Sequence, residues 1–369
     1  MDDSNEWYRL NNEADVDSPA LLIYVDHVRE NIRSVIATMD DIRRLRPHIK
    51  THKSPQVCTM MIDAGITKFK CATIAEAEML AAAGARDILL AYQPIGPKVK
   101  RLAELVQEYP ASSFSSLIDN LESASNLSSE FLKSNAALPV YIDLNVGMNR
   151  TGILPGAALP LFEACLMLRG ITIVGLHAYD GHIRDVDYNE RKKRCDEAFA
   201  DVEKLQRELT TKFNRKIAIV VGGTPTFSIH NKRKDVDCSP GTFIYWDKGY
   251  DQILSEQQYQ FAALVMARVI SKPAPKIICL DLGHKAIASE NPLNQRVYFL
   301  NGADLEPIGH SEEHMVFSCQ KDYKIGDVFY GVPHHICPTV ALHDQAAVVE
   351  KQKVTDYWHN ISRNRKITI

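Results

Sequence analysis

Eight short apolar runs alternating with helical stretches dominate the first two-thirds of this chain. The runs cover residues 20–25, 48–50, 68–72, 87–92, 113–118, 139–144, 171–177 and 217–221. Helical periodicity fills intervals such as 26–39, 73–83, 98–108 and 188–212. Strands separated by helices pair in parallel, because a crossover long enough for parallel pairing is itself a helix. Eight such runs favour a closed (β/α)8 barrel over an open sheet. After about residue 249 the pattern turns to β-rich runs at 261–270, 276–282, 296–300 and 327–330. Turn signals such as Asn301-Gly302 and Lys324-Ile325-Gly326-Asp327 separate some of them. The fold expected is therefore α/β: a barrel over residues 1–249 and a second, mainly β domain over 250–369, which the N-terminal strand is able to join. A length of 369 residues exceeds the span over which one hydrophobic core usually grows.

Composition narrows the partners. A formal charge of −3 gives no reason to expect nucleic acid or an anionic membrane. No apolar run reaches the length of a membrane span. The start, Met1-Asp2-Asp3-Ser4-Asn5-Glu6, is acidic and lacks the basic-then-apolar order of a signal peptide, so the cytoplasm is the expected location. The 8 cysteines include no C-x-x-C pair and read as reduced thiols, mostly small core residues.

In such a barrel the active site forms at the C-terminal ends of the strands. Four runs end there in polar clusters: Pro47-His48-Ile49-Lys50-Thr51-His52-Lys53, Asn145-Val146-Gly147-Met148-Asn149-Arg150-Thr151-Gly152, His177-Ala178-Tyr179-Asp180-Gly181-His182, and Gly222-Gly223-Thr224-Pro225-Thr226. A lone lysine is ordinarily a solvated charge. Lys50, at a strand end among His48, His52 and Lys53, instead suits a Schiff-base lysine. Gly222-Gly223-Thr224, and further on Pro240-Gly241-Thr242, offer backbone N–H groups and hydroxyls for a phosphate; either could equally be a tight turn. Arg150 suits a phenolic oxygen or a substrate carboxylate, or a salt bridge at the barrel mouth. Tyr179 is placed to stack on a ring and His182 to exchange protons, whereas His177 reads as a satisfied core histidine. No G-x-G-x-x-G opens the first helix, which argues against a dinucleotide fold. In the second domain, His335 and Cys337 share one face if the segment is a strand, and an imidazole with a thiolate suits zinc. H-x-C is a short motif that also arises by chance.

Together these segments resemble the D-threonine aldolase and D-serine dehydratase family, built on a barrel of alanine racemase type. The resemblance rests on Arg46-Pro47-His48-Ile49-Lys50-Thr51-His52-Lys53, Gly175-Leu176-His177-Ala178-Tyr179-Asp180-Gly181-His182, Pro240-Gly241-Thr242, Ser311-Glu312-Glu313-His314 and Val332-Pro333-His334-His335-Ile336-Cys337-Pro338-Thr339. It implies that Lys50 binds pyridoxal 5'-phosphate (PLP), that Gly222, Gly223, Thr224, Gly241 and Thr242 hold its phosphate, and that Arg150 and Tyr179 lie beside its ring. It further implies a divalent metal on His335 and Cys337, with zinc favoured by the thiolate and Mn2+ or Mg2+ possible. A homodimer, with the β domain of one subunit near the barrel mouth of the other, belongs to the same expectation. The activity implied is that of a PLP- and metal-dependent lyase in D-amino acid metabolism, with Lys50, His52, Tyr179 and His182 as catalytic residues. First choice is retro-aldol cleavage of a D-threonine-like substrate; dehydration of D-serine or D-3-hydroxyaspartate is the alternative. Cys337 points toward the dehydratases, since family aldolases often carry aspartate there, while Tyr179-Asp180-Gly181-His182 looks more like the aldolases. A racemase would have no use for the metal pair, and a PLP carrier little use for a second domain.

Overall fold

The apolar run near residue 20 forms strand β1 (Ala20–Tyr24), and this strand lies outside the barrel. The computed structural model describes residues 6–369; the acidic stretch read at residues 1–5 lies outside the described residues. Two compact units emerge. One contains residues 35–50, 55–241 and 364–369; the other contains the described residues up to 34, then 51–54 and 242–363.

The first unit is the barrel. Its sheet runs β2 (Lys68–Cys71), β3 (Asp87–Leu90), β4 (Ser113–Ile118), β5 (Leu138–Leu144), β6 (Ile171–Ala178), β7 (Ala218–Val221) and β8 (Asp237–Cys238) in sequence order. Every neighbouring pair is parallel. The segment 45–48 closes the ring, bridging Leu45 to Cys238 on one side and His48 to Lys70 on the other. The eighth position thus belongs to the two-residue β8, too short for its pattern to register, rather than to the run at residue 20. The expected strand at 48–50 likewise shifts: pairing ends at His48, and Ile49–Thr51 is a 3-10 turn.

Alternation sends Leu89, Leu117, Tyr141 and Val220 into one buried cluster. Gly175 leaves room there for Tyr141, since a Cβ at Gly175 would sit 2.8 Å from the tyrosine Cε1. A second interior layer is ionic. The buried Arg46 pairs with Asp87 (2.6 Å) and Asp237 (3.2 Å), and Lys68 Nζ reaches Asp237 at 2.9 Å. This network ties segment 45–48 to β2, β3 and β8, where ladder hydrogen bonds are few. Around the strands run helices such as Leu121–Leu132 and Tyr188–Phe213, whose N-cap side chains Asn120 and Asp187 accept from the backbone N–H three residues on.

The second unit is mainly β. Its remaining strands are β9 (Ala263–Ala274), β10 (Ile277–Leu280), β11 (Val297–Phe299), β12 (Glu306–His310), β13 (Met315–Ser318), β14 (Val328–Pro333), β15 (Gln345–Glu350) and β16 (Lys353–His359). The order β12-β13-β10-β9-β1-β15-β16 makes one mixed sheet, with β14 paired to β9 and β11 to β14. β1 pairs parallel to β15 and antiparallel to β9, so two long neighbours take up its backbone groups. Its Leu22 and Tyr24 pack with Leu264, Met266, Tyr330, Val332, Ala347 and Val349. Among the described residues no helix is long and apolar enough to cross a membrane. Among the described residues no disulfide forms; seven cysteines are buried and Cys337 is partly exposed.

Candidate active site

Lys50 occupies the 3-10 turn that ends the closing segment of the barrel. His48 is bridged in parallel to Lys70, and Lys50 lies two residues beyond that bridge. Both amines approach the ring of Tyr179, which follows β6: Lys50 Nζ is 5.8 Å and Lys70 Nζ 5.6 Å from its centroid. The Arg150 guanidinium approaches the same ring at 5.0 Å. Three basic side chains around one aromatic ring make this a site suited to an anionic ligand.

Behind the ring lies the glycine turn after β7. A Cβ on Gly223 would fall 2.7 Å from Tyr179 Cε2, so only glycine lets the ring lie there. Gly222 has φ +73°, and its Cβ would meet His230 Cδ2 at 2.8 Å. The two glycine elements meet directly: Gly241 N–H donates to Thr224 Oγ1 at 3.2 Å. Asp180 props this turn from beneath. Its carboxylate accepts from Thr226 Oγ1 (2.6 Å) and from His230 Nε2 (2.8 Å), with Cys195 Sγ 3.2 Å from the same imidazole nitrogen.

Among the described residues, Asp180, Cys195 and His230 are the His/Cys/acid trio whose ligand atoms gather within 4.8 Å, a possible metal site. Its imidazole is already engaged at both nitrogens, since Arg233 Nε donates to His230 Nδ1 at 3.2 Å. The trio is thus complete as a hydrogen-bonded support for the glycine turn, and His230 has a structural task that its sequence position did not suggest.

A line of polar groups crosses the barrel interior. His177 Nδ1 donates to Asp143 Oδ1 at 2.7 Å, and Lys70 Nζ lies 3.5 Å from His177 Nε2. Gln93 donates to Asp143 and to Asp119. His177 is thus a satisfied core histidine. Lys70, absent from the sequence-based candidates, is the residue that reasoning missed. Its place in the run 68–72, two residues after Lys68 on the inward face, was the available signal. Burial, reinforced by the Lys50 charge, brings its pKa down to about 7.

His182 is half-buried beside Gly147, whose Cβ would lie 3.0 Å from His182 Nε2. Its buried Nδ1 has no hydrogen-bond partner, and burial lowers its pKa.

In the second unit, His335 and Cys337 are not on a strand. β14 ends at Pro333, His335 is an N-cap, and Cys337 lies in the first turn of helix Ile336–Leu342, where Pro338 is tolerated because first-turn N–H groups lack partners anyway. The pair still meets, now through the turn. Burial disfavours the His335 imidazolium, but the hydrogen bond and charge of Cys337, with Glu290, outweigh it and raise the pKa to about 9. His335 Nδ1 donates to Glu290 Oε1 at 2.5 Å. A carboxylate on one imidazole nitrogen leaves the other for a metal, the usual arrangement around ligating histidines. Thr51 Oγ1 lies 3.2 Å and Thr242 Oγ1 4.0 Å from Cys337 Sγ. Thr242 thus belongs with the thiol, and Thr51 is the residue that follows Lys50 in the chain. His52 is buried, accepts at Nδ1 from Ser54 N–H (3.2 Å) and has no partner at Nε2; burial lowers its pKa to about 3. The motif Ser311–His314 is the turn between β12 and β13, and its Glu312 carbonyl accepts from Lys285 N–H at 3.2 Å.

The chain belongs to a known family: residues 23–248 match the one described as "Alanine racemase, N-terminal domain". Residues 262–349 match the family described as "Putative serine dehydratase domain". The chain is 27% identical to a D-threonine aldolase of Arthrobacter sp, covering 95% of this chain and 93% of that protein. It is 26% identical to a 3-hydroxy-D-aspartate aldolase of Paracoccus denitrificans (strain Pd 1222), covering 96% and 94%. To a D-threo-3-hydroxyaspartate dehydratase of Delftia sp. (strain HT23) it is 26% identical over 71% of this chain and 70% of that one. The crystal structure of D-threonine aldolase from Filomicrobium marinum superposes with a TM-score of 0.87, at 25% identity, over 95% of this chain and 96% of that one. The fold is thus an alanine racemase-type parallel barrel with a mainly β C-terminal domain.

Proposed function

We propose that this protein is a PLP- and metal-dependent lyase acting on β-hydroxy D-amino acids, cleaving a D-threonine-like substrate to glycine and an aldehyde. The observation that carries this reading is the convergence of Lys50, Lys70 and Arg150 on the Tyr179 ring, in front of a turn that only glycines can form. An anionic, planar cofactor with a phosphate fits that arrangement. The His335–Cys337 donor pair, with Glu290 behind the imidazole, fits a divalent metal and favours zinc.

When bound, PLP supplies an electron sink for charge developing at the substrate Cα, and a divalent metal lowers the pKa of the β-hydroxyl. The chain's own residues do the rest. Lys50 offers the amine that anchors the cofactor. The turn Gly222-Gly223-Thr224, with Gly241 against it, would seat the phosphate. Arg150 would hold the cofactor's phenolic oxygen or the substrate carboxylate, and Tyr179 would lie beside the cofactor ring. Among the sequence-derived site residues, His182 Nδ1 and His52 Nε2 are buried imidazole nitrogens without a hydrogen-bond partner, and either would be able to take a hydroxyl proton. A base with a pKa of about 3 pulls weakly at neutral pH, so His182 is the stronger of the two.

The aldolase reading is supported by two of the relatives over nearly their whole length. Dehydration to a 2-oxo acid and ammonia is the second reading, favoured by Cys337 and by the dehydratase relative. A homodimer and a cytoplasmic location belong to the proposal; sedimentation of the loaded protein tests the former.

Gly222→Ala tests the phosphate turn. Left-handed backbone costs a residue with a Cβ about 1–2 kcal/mol, and the new methyl collides with His230. PLP affinity is expected to fall about tenfold or more, read by fluorescence titration with thermal melting as the control. Unchanged affinity would remove the turn from the cofactor site. The anchor itself is tested by borohydride reduction of PLP-loaded protein: the pyridoxyl group should map to Lys50, and a protein that traps none would end the PLP reading.

A further inference from the structure

Two buried threonine hydroxyls lie against Cys337 Sγ, and the chemistry above gives them no task. Thr51, 0% exposed, ends the 3-10 turn Ile49–Thr51, and its Oγ1 lies 3.2 Å from the sulfur. Thr242 begins the 3-10 turn Thr242–Ile244, with its Oγ1 at 4.0 Å. His335 is a further hydrogen-bond partner of the thiol, and Glu290 accepts from Nδ1 of that imidazole. Thr51, Thr242 and residues 335–337 all belong to the mainly β unit, which gathers them from distant stretches of chain. Valine has nearly the same outline as threonine and needs no hydrogen-bond partner, so packing alone does not call for a hydroxyl beside the sulfur.

Resting on the metal reading of His335 and Cys337, we propose that Thr51 is a specificity-determining residue for the metal. Its hydroxyl donates to the Cys337 thiolate and narrows the preference of that sulfur for zinc over Mn2+. The direction of the bond follows from the chemistry of sulfur. Against a thiol, either atom is able to donate. A metal-bound cysteine is a thiolate, which only accepts, so the rotatable hydroxyl proton of Thr51 turns toward it. Thr242, at the longer distance, is the weaker donor of the two.

A hydrogen bond of this kind strengthens with the negative charge left on its acceptor. Zinc suits thiolate and draws more of that charge into the metal–sulfur bond. Mn2+ suits oxygen ligands and leaves more of it on the sulfur. The hydroxyl therefore stabilises the Mn2+ complex more than the zinc complex. Both metals start from the same metal-free protein, so the ratio of their affinities is independent of the proton arrangement before binding. Thr51 acts here through Cys337, as a positioning residue.

Two measurements on the full-length chain test this. Co2+ added to PLP-free protein should give a sulfur-to-cobalt charge-transfer band in the near ultraviolet, absent in Cys337→Ser. Loss of the donor raises the energy of the sulfur electrons. The band should therefore move to longer wavelength in Thr51→Val and stay in place in Thr51→Ser. In the second measurement zinc displaces bound Mn2+, followed by the electron paramagnetic resonance of the released ion. The zinc needed for half-displacement should fall about threefold or more in Thr51→Val and keep its wild-type value in Thr51→Ser. An unmoved band or an unchanged ratio in Thr51→Val would overturn the proposal. Equal effects in Thr51→Ser and Thr51→Val would overturn it too, because they would trace to packing rather than to the hydroxyl. If Thr51→Val does not fold, by circular dichroism and melting, Thr51→Ala carries the same expectations and the same power to refute. A wild type without any cobalt band would defeat the metal reading of Cys337 itself, a result distinct from a band that Thr51 does not move.

Discussion

Lys50→Ala is expected to abolish the visible absorbance of PLP-loaded protein and to lower turnover by at least about 10³-fold. The argument is positional. Lys50 ends the segment that closes the barrel, in a 3-10 turn that aims it at Tyr179, and the glycine turn that would seat a phosphate lies behind that same ring. Removing the amine leaves the phosphate cup and Arg150 in place, so PLP should still bind, but weakly and without a covalent link. Dialysis should strip it, and borohydride should fix nothing. The deep Lys70 amine, at a similar distance from the ring, makes this a sharp test. A borohydride-reducible chromophore mapping to Lys70 would move the anchor there.

Metal removal is the second large effect. Chelation, or His335→Ala or Cys337→Ala, is expected to lower lyase turnover by about 100-fold or more while leaving PLP absorbance intact. The two effects separate because the donor pair sits on a helix N-terminus in the mainly β unit, whereas Lys50, Arg150 and Tyr179 belong to the barrel unit. Glu290→Gln should act through the imidazole, weakening metal binding by about 10–100-fold. Inductively coupled plasma analysis of metal content alongside activity separates the cases. Full activity in metal-free protein would remove His335 and Cys337 from the reaction.

Much of this site was visible in the chain before its fold. Strands β2 to β7 announced themselves as apolar runs; Arg150, Tyr179 and Gly222–Thr224 follow the C-terminal ends of β5, β6 and β7, and Lys50 follows the closing segment 45–48, where barrels place chemistry. What escaped had physical reasons. β8 is a two-residue strand whose pairing comes from neighbours rather than from its own pattern. β1 carries the same aliphatic signature as a barrel strand, and only its partners β9 and β15 distinguish it. The i, i+2 spacing of His335 and Cys337 places them on one face only if the segment is a strand; the helix that starts there brings them together by a different geometry. Glu290 and Lys70 act through contacts with residues 45 and 107 positions away, a separation that no local spacing encodes. Asp180 and His230 are similar: a motif residue and an unremarked histidine joined beneath the glycine turn.

The measurement that tests the central claim most directly is product analysis after incubating PLP-loaded protein and Zn2+ or Mn2+ with D-threonine, and in parallel with D-serine. The account predicts glycine and acetaldehyde in equal amounts from D-threonine. Ammonia with 2-oxobutanoate from D-threonine, or with pyruvate from D-serine, and no glycine, would contradict it and make Cys337 the mark of a dehydratase.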